Sequence, residues 1–417
     1  MEKIRVGFFM DFLWPTVYSG GKNYMKNLLY ALAQLNGNNI ECYLFFGKKI
    51  PQKYVNEFSE YGMAIRTSLL DRWSARWLLY KIFNKMFNSH FFMYSILKKY
   101  NVSILSHTTF SEIDVYGKSL PFQTISFMMD FQFMHIPELW SVESLNYERN
   151  RFIARAKYSD KILLSSYDAL NDMKNLVPDY IHKAKVIHFV SQPNKQIHEM
   201  TEGEHKKNIE NKYEFNGKYF YLPNQFWTHK NHKVVFKAVN LLKKRGKEIL
   251  VICTGLMYGA DSPNRGFEGY IPGLKQYIID NQLGNNMKLL GLIDYKDVQY
   301  FMRNSISVIN PSLFEGWGST TEEAKSIGKN VILSDIPVHK EQNPSAVIYF
   351  NLYDETELAD ILYRRWNESN GGPDYDLERE ARENLKARTM AYGRAYHDLV
   401  LKLVSNGKEY GKYQKNR

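Results

Sequence analysis

Cysteine is nearly absent: Cys42 and Cys253 are the only two in 417 residues. Two thiols in separate apolar segments make no disulfide framework, and they read as small core residues of a protein in a cytosolic setting. No uninterrupted apolar run is long enough to span a bilayer. Residues 1–10 are too short and too broken by charge for a signal peptide and read as a first strand. Zinc-finger spacing, an RNA-binding sheet motif and a dense Lys/Arg patch are all missing, so nucleic acid ranks low among partners. No His/Asp cluster calls for a metal ligand set. What is present is an ordinary apolar content of 44% with 24% charged residues, in a chain long enough for two α/β domains. Aromatics reach 15%, and the net charge of +11 favours anionic company such as lipid head groups or nucleotide-linked substrates.

The stretch around which the chain is organised is residues 310–324, Asn-Pro-Ser-Leu-Phe-Glu-Gly-Trp-Gly-Ser-Thr-Thr-Glu-Glu-Ala. Apolar residues 306–309 before it and 331–333 after it read as strands, so the unit is strand, glycine-bearing loop, short helix, strand. Gly316 and Gly318 bracket Trp317 and let a ligand approach the loop backbone. Ser319 with Glu322 fits a capping box that starts a helix at about Thr320. Its free N–H groups and positive dipole end form a seat for phosphate oxygens, flanked by Glu315 and Glu323. The plain alternative makes Glu322 and Glu323 mere dipole partners of the first turn.

This segment resembles the E-x7-E signature of the retaining glycosyltransferases of family four, which have the two-domain GT-B fold. The resemblance implies that Glu315 contacts a donor sugar and Glu323 the donor ribose. It sets Gly316, Trp317, Gly318, Ser319 and Thr320 around the diphosphate. The fold class it implies is α/β, with two doubly wound Rossmann-like domains facing each other across a cleft. The expected division is 1–195 for the acceptor-side domain, 196–217 for a polar linker and 218–385 for the nucleotide-sugar domain. Residues 386–417 are expected as a helix returning to the first domain, with a basic tail.

Other stretches fall into place around that motif. Gly20 and Gly21, between the first strand and a helix, read as a tight turn; in the family this loop nears the donor phosphate and the acceptor. Asn224-Gln225 stands where relatives more often carry Gly-Arg, and Lys230 matches the family lysine that neutralises a departing diphosphate. Thr254 and Gly255 close another strand, and Leu292-Ile293 ends a segment resembling the one whose backbone reads the base. Arg265, in a glycine-rich loop, is a further positive charge. Many relatives have a His-Asp pair where this chain has Met129-Asp130, so the imidazole is missing, His107 and His135 are its nearest substitutes, and Asp130 is a candidate for acceptor contact or base chemistry.

In residues 71–100, Trp73, Trp77, Tyr80, Phe87 and Phe91 form one helical stripe between Lys81/Lys85 and Arg72/Arg76. That pattern fits an amphipathic helix packed on a core, or an interfacial helix in peripheral membrane contact at the inner face of a membrane. The resemblance implies metal-independent transfer of a hexose or deoxyhexose, with retention, from a nucleoside diphosphate sugar to a glycan or lipid-linked acceptor. No cofactor beyond that donor is expected. Surface polysaccharide synthesis is the family setting, and residues 336–341 resemble those of mannosyltransferase relatives, which inclines the expected donor toward GDP-mannose. The alternatives are a non-catalytic GT-B-like protein that binds a glycan or partner, and another sugar-nucleotide enzyme of the same fold.

Overall fold

The computed structural model describes residues 3–13, 19–87, 91–107, 122–194, 197, 204–257 and 269–414. Arg265 lies outside them. The chain divides into two compact units, one of Met1–Phe131, Asn146–Val190 and Ala387–Arg417, the other of Gln132–Leu145 and Ser191–Lys386.

The first unit holds β1 (Ile4–Phe9), β2 (Ile40–Gly47), β3 (Met63–Thr67), β4 (Ile104–Ser106), β5 (Gln123–Met128), β6 (Lys161–Leu164) and β7 (Ala184–Val186). They form one 7-stranded parallel sheet in the order β3-β2-β1-β4-β5-β6-β7. The chain builds outward from β1 in one direction and then in the other, so the sheet reverses between β1 and β4. The second unit repeats the plan with β8 (Phe220–Leu222), β9 (Val251–Thr254), β10 (Met287–Gly291), β11 (Val308–Asn310), β12 (Val331–Ser334) and β13 (Val347–Phe350). Its 6-stranded parallel sheet runs β10-β9-β8-β11-β12-β13, reversing between β8 and β11.

Parallel strands covered on both faces must be apolar nearly throughout, and these are. In the second unit Phe220, Leu222, Val251, Cys253, Ile309 and Phe350 enter one core layer. Tyr221, Ile252, Val308, Val331 and Leu333 enter the layer on the opposite face. The run expected as a linker contributes to that second layer: Ile197 is buried, and the helix Glu204–Tyr213 inserts Ile209. Its polarity marks a helix with a single inward stripe, which composition alone does not separate from coil.

The last helix, Tyr375–Gln414, begins in the second unit and from Ala387 belongs to the first. There Tyr392, Tyr396, Leu399, Val400 and Leu403 are buried, and Gly393 lies so close to Ala31 that an added Cβ would sit 2.5 Å from its carbonyl oxygen. No helix among the described residues is long and apolar enough to cross a membrane.

Two expected local features take another form. The helix Ser19–Ala33 already contains Gly20 and Gly21 in its first turn, so they form no turn ahead of it. The stretch 71–100 breaks into the helices Ala75–Phe87 and Phe91–Lys99, and of the five aromatics named above only Tyr80 is buried. The inward-facing side is narrow because Tyr80, Met93 and Leu97 suffice to close the core beneath.

Candidate functional site

Loops that follow parallel strands meet at a point where the strand order reverses, and such points leave a crevice for ligands. In the second unit that point lies between β8 and β11. Beyond β8, residues Thr228–Lys230 make one 3-10 turn, and Asn231 takes a left-handed conformation (φ 51°) before the helix His232–Lys244. Asn231 holds that conformation by donating from Nδ2 to the Leu352 carbonyl, 2.9 Å. The turn aims Lys230 at the loop after β11, where its Nζ meets Glu315 Oε1 at 2.6 Å.

A buried network backs this ion pair. Ser312 Oγ lies 2.7 Å from Glu315 Oε1 and equally close to Asn310 Oδ1. Asn310, at the end of β11, accepts from Asn224 Nδ2 (2.9 Å) and faces His339 Nε2 with its own Nδ2 (3.2 Å). His339 Nδ1 lies 2.9 Å from the Ser334 carbonyl, which only accepts, so the ring proton sits on Nδ1 and Nε2 is the acceptor. Burial lowers the His339 pKa despite the nearby Glu315 carboxylate, consistent with this neutral tautomer. Thr320 Oγ1 donates to Asn224 Oδ1 at 2.8 Å, tying the helix Ser319–Ile327 back to the end of β8.

Burial by itself would push the Glu315 carboxyl up. The charge and hydrogen bond of Lys230 outweigh that loss of water, with Ser312 adding, and hold it at about 2. Glu315 is therefore a fixed anion at neutral pH whose free lone pairs suit hydroxyl donors.

The helix Ser319–Ile327 starts one residue earlier than the capping box requires. Gly318, at φ 80°, is the N-cap, and no side chain caps the helix. The Gly318 carbonyl instead accepts from the Glu322 amide (3.1 Å) and from Gln342 Nε2 (3.1 Å). A left-handed residue there leaves Ser319 as the first helical residue, exposed, with its hydroxyl away from the capping position. Gln342 Oε1 is buried without a hydrogen-bond partner, 3.2 Å from where a Gly318 Cβ would be.

Glu323 stands in the same helix, half-buried, accepting from the Tyr295 hydroxyl at 2.9 Å. Burial pushes its pKa up, the Tyr295 hydrogen bond opposes, and the Glu322 charge adds, moving it from 4.5 to about 7. A carboxyl whose pKa is raised on folding favours the folded state below its unfolded value and loses that contribution as pH climbs through the folded one. Glu323→Gln is accordingly expected to flatten the fall of the melting midpoint between about pH 4.5 and 7. Thermal scans of both proteins across that range check this, and parallel curves would contradict it.

Of the residues singled out in the sequence, the structure brings Asn224, Lys230, Glu315, Gly316, Trp317, Gly318, Ser319, Thr320 and Glu323 onto adjoining loops and one helix. Gln225 is half-buried beside Asn224. Gly255 (φ 150°) packs against them so closely that a Cβ would lie 2.3 Å from the Asn224 carbonyl oxygen. Thr254 shares a 2.6 Å hydrogen bond with the buried Tyr221 hydroxyl. Leu292 and Ile293 follow β10 at the sheet edge, Leu292 exposed and Ile293 against the core. Gly20, Gly21 and Asp130 belong to the first unit, Asp130 half-buried just beyond β5.

His107 is buried in that unit between Tyr24 Oη (2.9 Å) and Ser106 Oγ (2.8 Å), its pKa driven down to about 3 by burial. It is a core residue. His135 is exposed and stacks on Phe314, the neighbour of Glu315, at 4.7 Å between ring centres. Asn310, Ser312, Ser334, His339, Gln342 and Tyr295 were not singled out as site residues. Asn310-Pro311-Ser312 is visible in the sequence only as a lead-in to the motif, and nothing local marks a histidine that arrives from the short helix Pro337–Gln342.

Residues 204–370 match the family described as Glycosyl transferases group 1. Over 137 residues the chain is 26% identical to the O-antigen chain mannosyltransferase RfbU of Salmonella typhimurium, a match spanning about a third of that protein's length (35%) and 33% of this chain. Among solved structures, sucrose-phosphate synthase from Thermosynechococcus elongatus aligns over 100% of both chains at TM-score 0.66 and 13% identity. A glycosyltransferase from Rickettsia africae does so over 100% of both at 0.60 and 15%. Anabaena HepE, in complex with UDP and glucose, aligns over 98% of this chain and 100% of its own at 0.62 and 13%. These likenesses show the fold, two parallel-sheet α/β domains as in GT-B glycosyltransferases.

Proposed function

We propose that the chain is a retaining glycosyltransferase that moves a hexose or deoxyhexose from a nucleoside diphosphate sugar to a glycan or lipid-linked acceptor. The observation that carries this reading is the 2.6 Å Lys230–Glu315 pair at the strand-order reversal, beside an uncapped helix start. A cation and free N–H groups suit a departing diphosphate, and a fixed carboxylate suits sugar hydroxyls. The family match over 204–370 supports the same reading.

In this reading Glu315 orients the sugar, Lys230 and the first turn at Ser319–Thr320 hold the diphosphate, and Glu323 exchanges Tyr295 for the ribose. The bond between the anomeric carbon and the phosphate oxygen breaks, and the acceptor oxygen bonds to that carbon on the same face. The acceptor's proton passes to the departing phosphate oxygen, so no separate base is required and Met129 is tolerated. Asp130 is then a positioning group for the acceptor. The partial likeness to an O-antigen mannosyltransferase supports a role in surface polysaccharide synthesis and GDP-mannose as the first donor to try.

Thermal melting against UDP, GDP, ADP and dTDP tests the donor site. One nucleotide at saturation is expected to raise stability by about 2–4 kcal/mol, seen as a higher midpoint, with GDP foremost. No shift with any nucleotide would favour the non-catalytic, glycan-binding alternative.

A further inference from the structure

The helix Ala75–Phe87 buries Tyr80 and turns its opposite side to solvent. At about 100° per residue, Leu78, Leu79, Ile82 and Met86 fall within an arc of about 100° facing away from Tyr80. All four are exposed, Met86 at 69%. Cations border the arc, with Arg76 on one side and Lys81 and Lys85 on the other. Lys81 lies over the Trp77 ring at 5.2 Å. Just ahead of the helix, Trp73 is 68% exposed, and it adopts φ 68°, a left-handed conformation costly for a bulky residue. From residue 72 to residue 111 the sequence contains six Lys and Arg and no Asp or Glu.

We propose that this face docks the first unit on an anionic lipid bilayer, with Leu78, Leu79, Ile82 and Met86 entering the acyl boundary. Arg76, Lys81 and Lys85 then meet acidic head groups while their aliphatic stems lie along the surface. Charge selects this occupant. A second copy of the chain would set the same patch against itself, bringing cation against cation with no acid to balance them. A convex apolar ridge bordered by lysines also differs from the core of a protein interface, where lysine is depleted. This surface belongs to the first unit and the proposed donor site to the second, and the inference stands whether or not that proposal holds.

The test is flotation of the full chain with phosphatidylcholine vesicles, with and without phosphatidylglycerol. Binding is expected only to the anionic vesicles and is expected to weaken with added salt. Exchanging Leu79, Ile82 and Met86 together for Ser should lower partitioning more than about tenfold. Arg76→Gln and Lys85→Gln should each lower it about fivefold. Because these side chains are exposed, the melting midpoint and any nucleotide-induced shift should stay unchanged, which separates loss of docking from loss of fold or donor binding. Equal binding to neutral vesicles, no binding to anionic ones, or a dimer in light scattering that the triple variant dissolves would each overturn the proposal.

Discussion

Lys230→Ala is expected to lower kcat for the proposed sugar transfer by about a hundredfold to a thousandfold, the usual cost of removing one preorganised group that meets charge developing in the transition state. Lys230→Arg should recover part of it. The variant also strands Glu315: with Lys230 gone, burial is opposed only by weaker partners, and its carboxyl pKa rises from about 2. In the intact protein the depressed pKa favours the folded state above the ordinary value of 4.5, and that contribution drains away as pH falls from there toward about 2. Lys230→Ala should therefore lose acid sensitivity in its melting midpoint over that window. Radiolabelled sugar transfer together with pH-dependent melting checks both effects. An unchanged kcat would remove Lys230 from the diphosphate, while an unchanged acid profile would mean that Lys230 does not set the Glu315 charge.

Arg303→Ala is expected to destabilise the second unit by about 3–5 kcal/mol, because it leaves a carboxylate buried without its cation. Arg303 Nε reaches Glu378 Oε1 at 2.6 Å and Nη2 reaches Oε2 at 3.1 Å, with both side chains almost fully buried. Glu378 sits in the first turn of the last helix, so this bidentate pair fastens the start of that helix to the unit. Gly328 assists with a left-handed φ of 86°, since a Cβ there would lie 2.4 Å from the Leu377 carbonyl oxygen. Lys329 completes the corner by donating to the Arg303 and Gly372 carbonyls, at 3.1 and 2.8 Å. Replacing both partners by apolar residues, Arg303→Met with Glu378→Leu, should restore most of the loss, because no unpaired charge then remains. Urea unfolding of the intact protein and the two variants measures this. A double variant no more stable than Arg303→Ala would show that the geometry, and not the stranded charge, sets the cost.

Most strands were legible because burial on both faces writes an apolar run. The apolar runs at 306–309 and 331–333 appear as β11 (Val308–Asn310) and β12 (Val331–Ser334), with ends shifted by a residue or two. β3 was missed because Met63–Thr67 is an edge strand that buries only Ile65 and Thr67. β7 pairs at Ala184–Val186, where neither Ala184 nor Lys185 announces a core strand. Around the motif, the two glycines and the strand–helix–strand order were readable. The capping residue was not, since Gly318 and Ser319 both favour helix starts and only the backbone conformation chooses between them.

By itself the sequence determined the repeating parallel α/β plan, the glycine-bearing loop that carries Glu315, and the acid-free basic stretch after Asp71. These are local properties: apolar period, turn chemistry and charge density are written in consecutive residues. Tertiary structure decided the rest. Glu315 found its counter-charge in Lys230, 85 residues earlier, only because β8 and β11 are neighbours in the sheet. His339 came to back Asn310 from beyond β12 because β11 and β12 pair side by side. Of the two sides of the helix Ala75–Phe87, the core claimed the one with Tyr80, because the strands beneath it had room for that residue and left Leu79, Ile82 and Met86 in water.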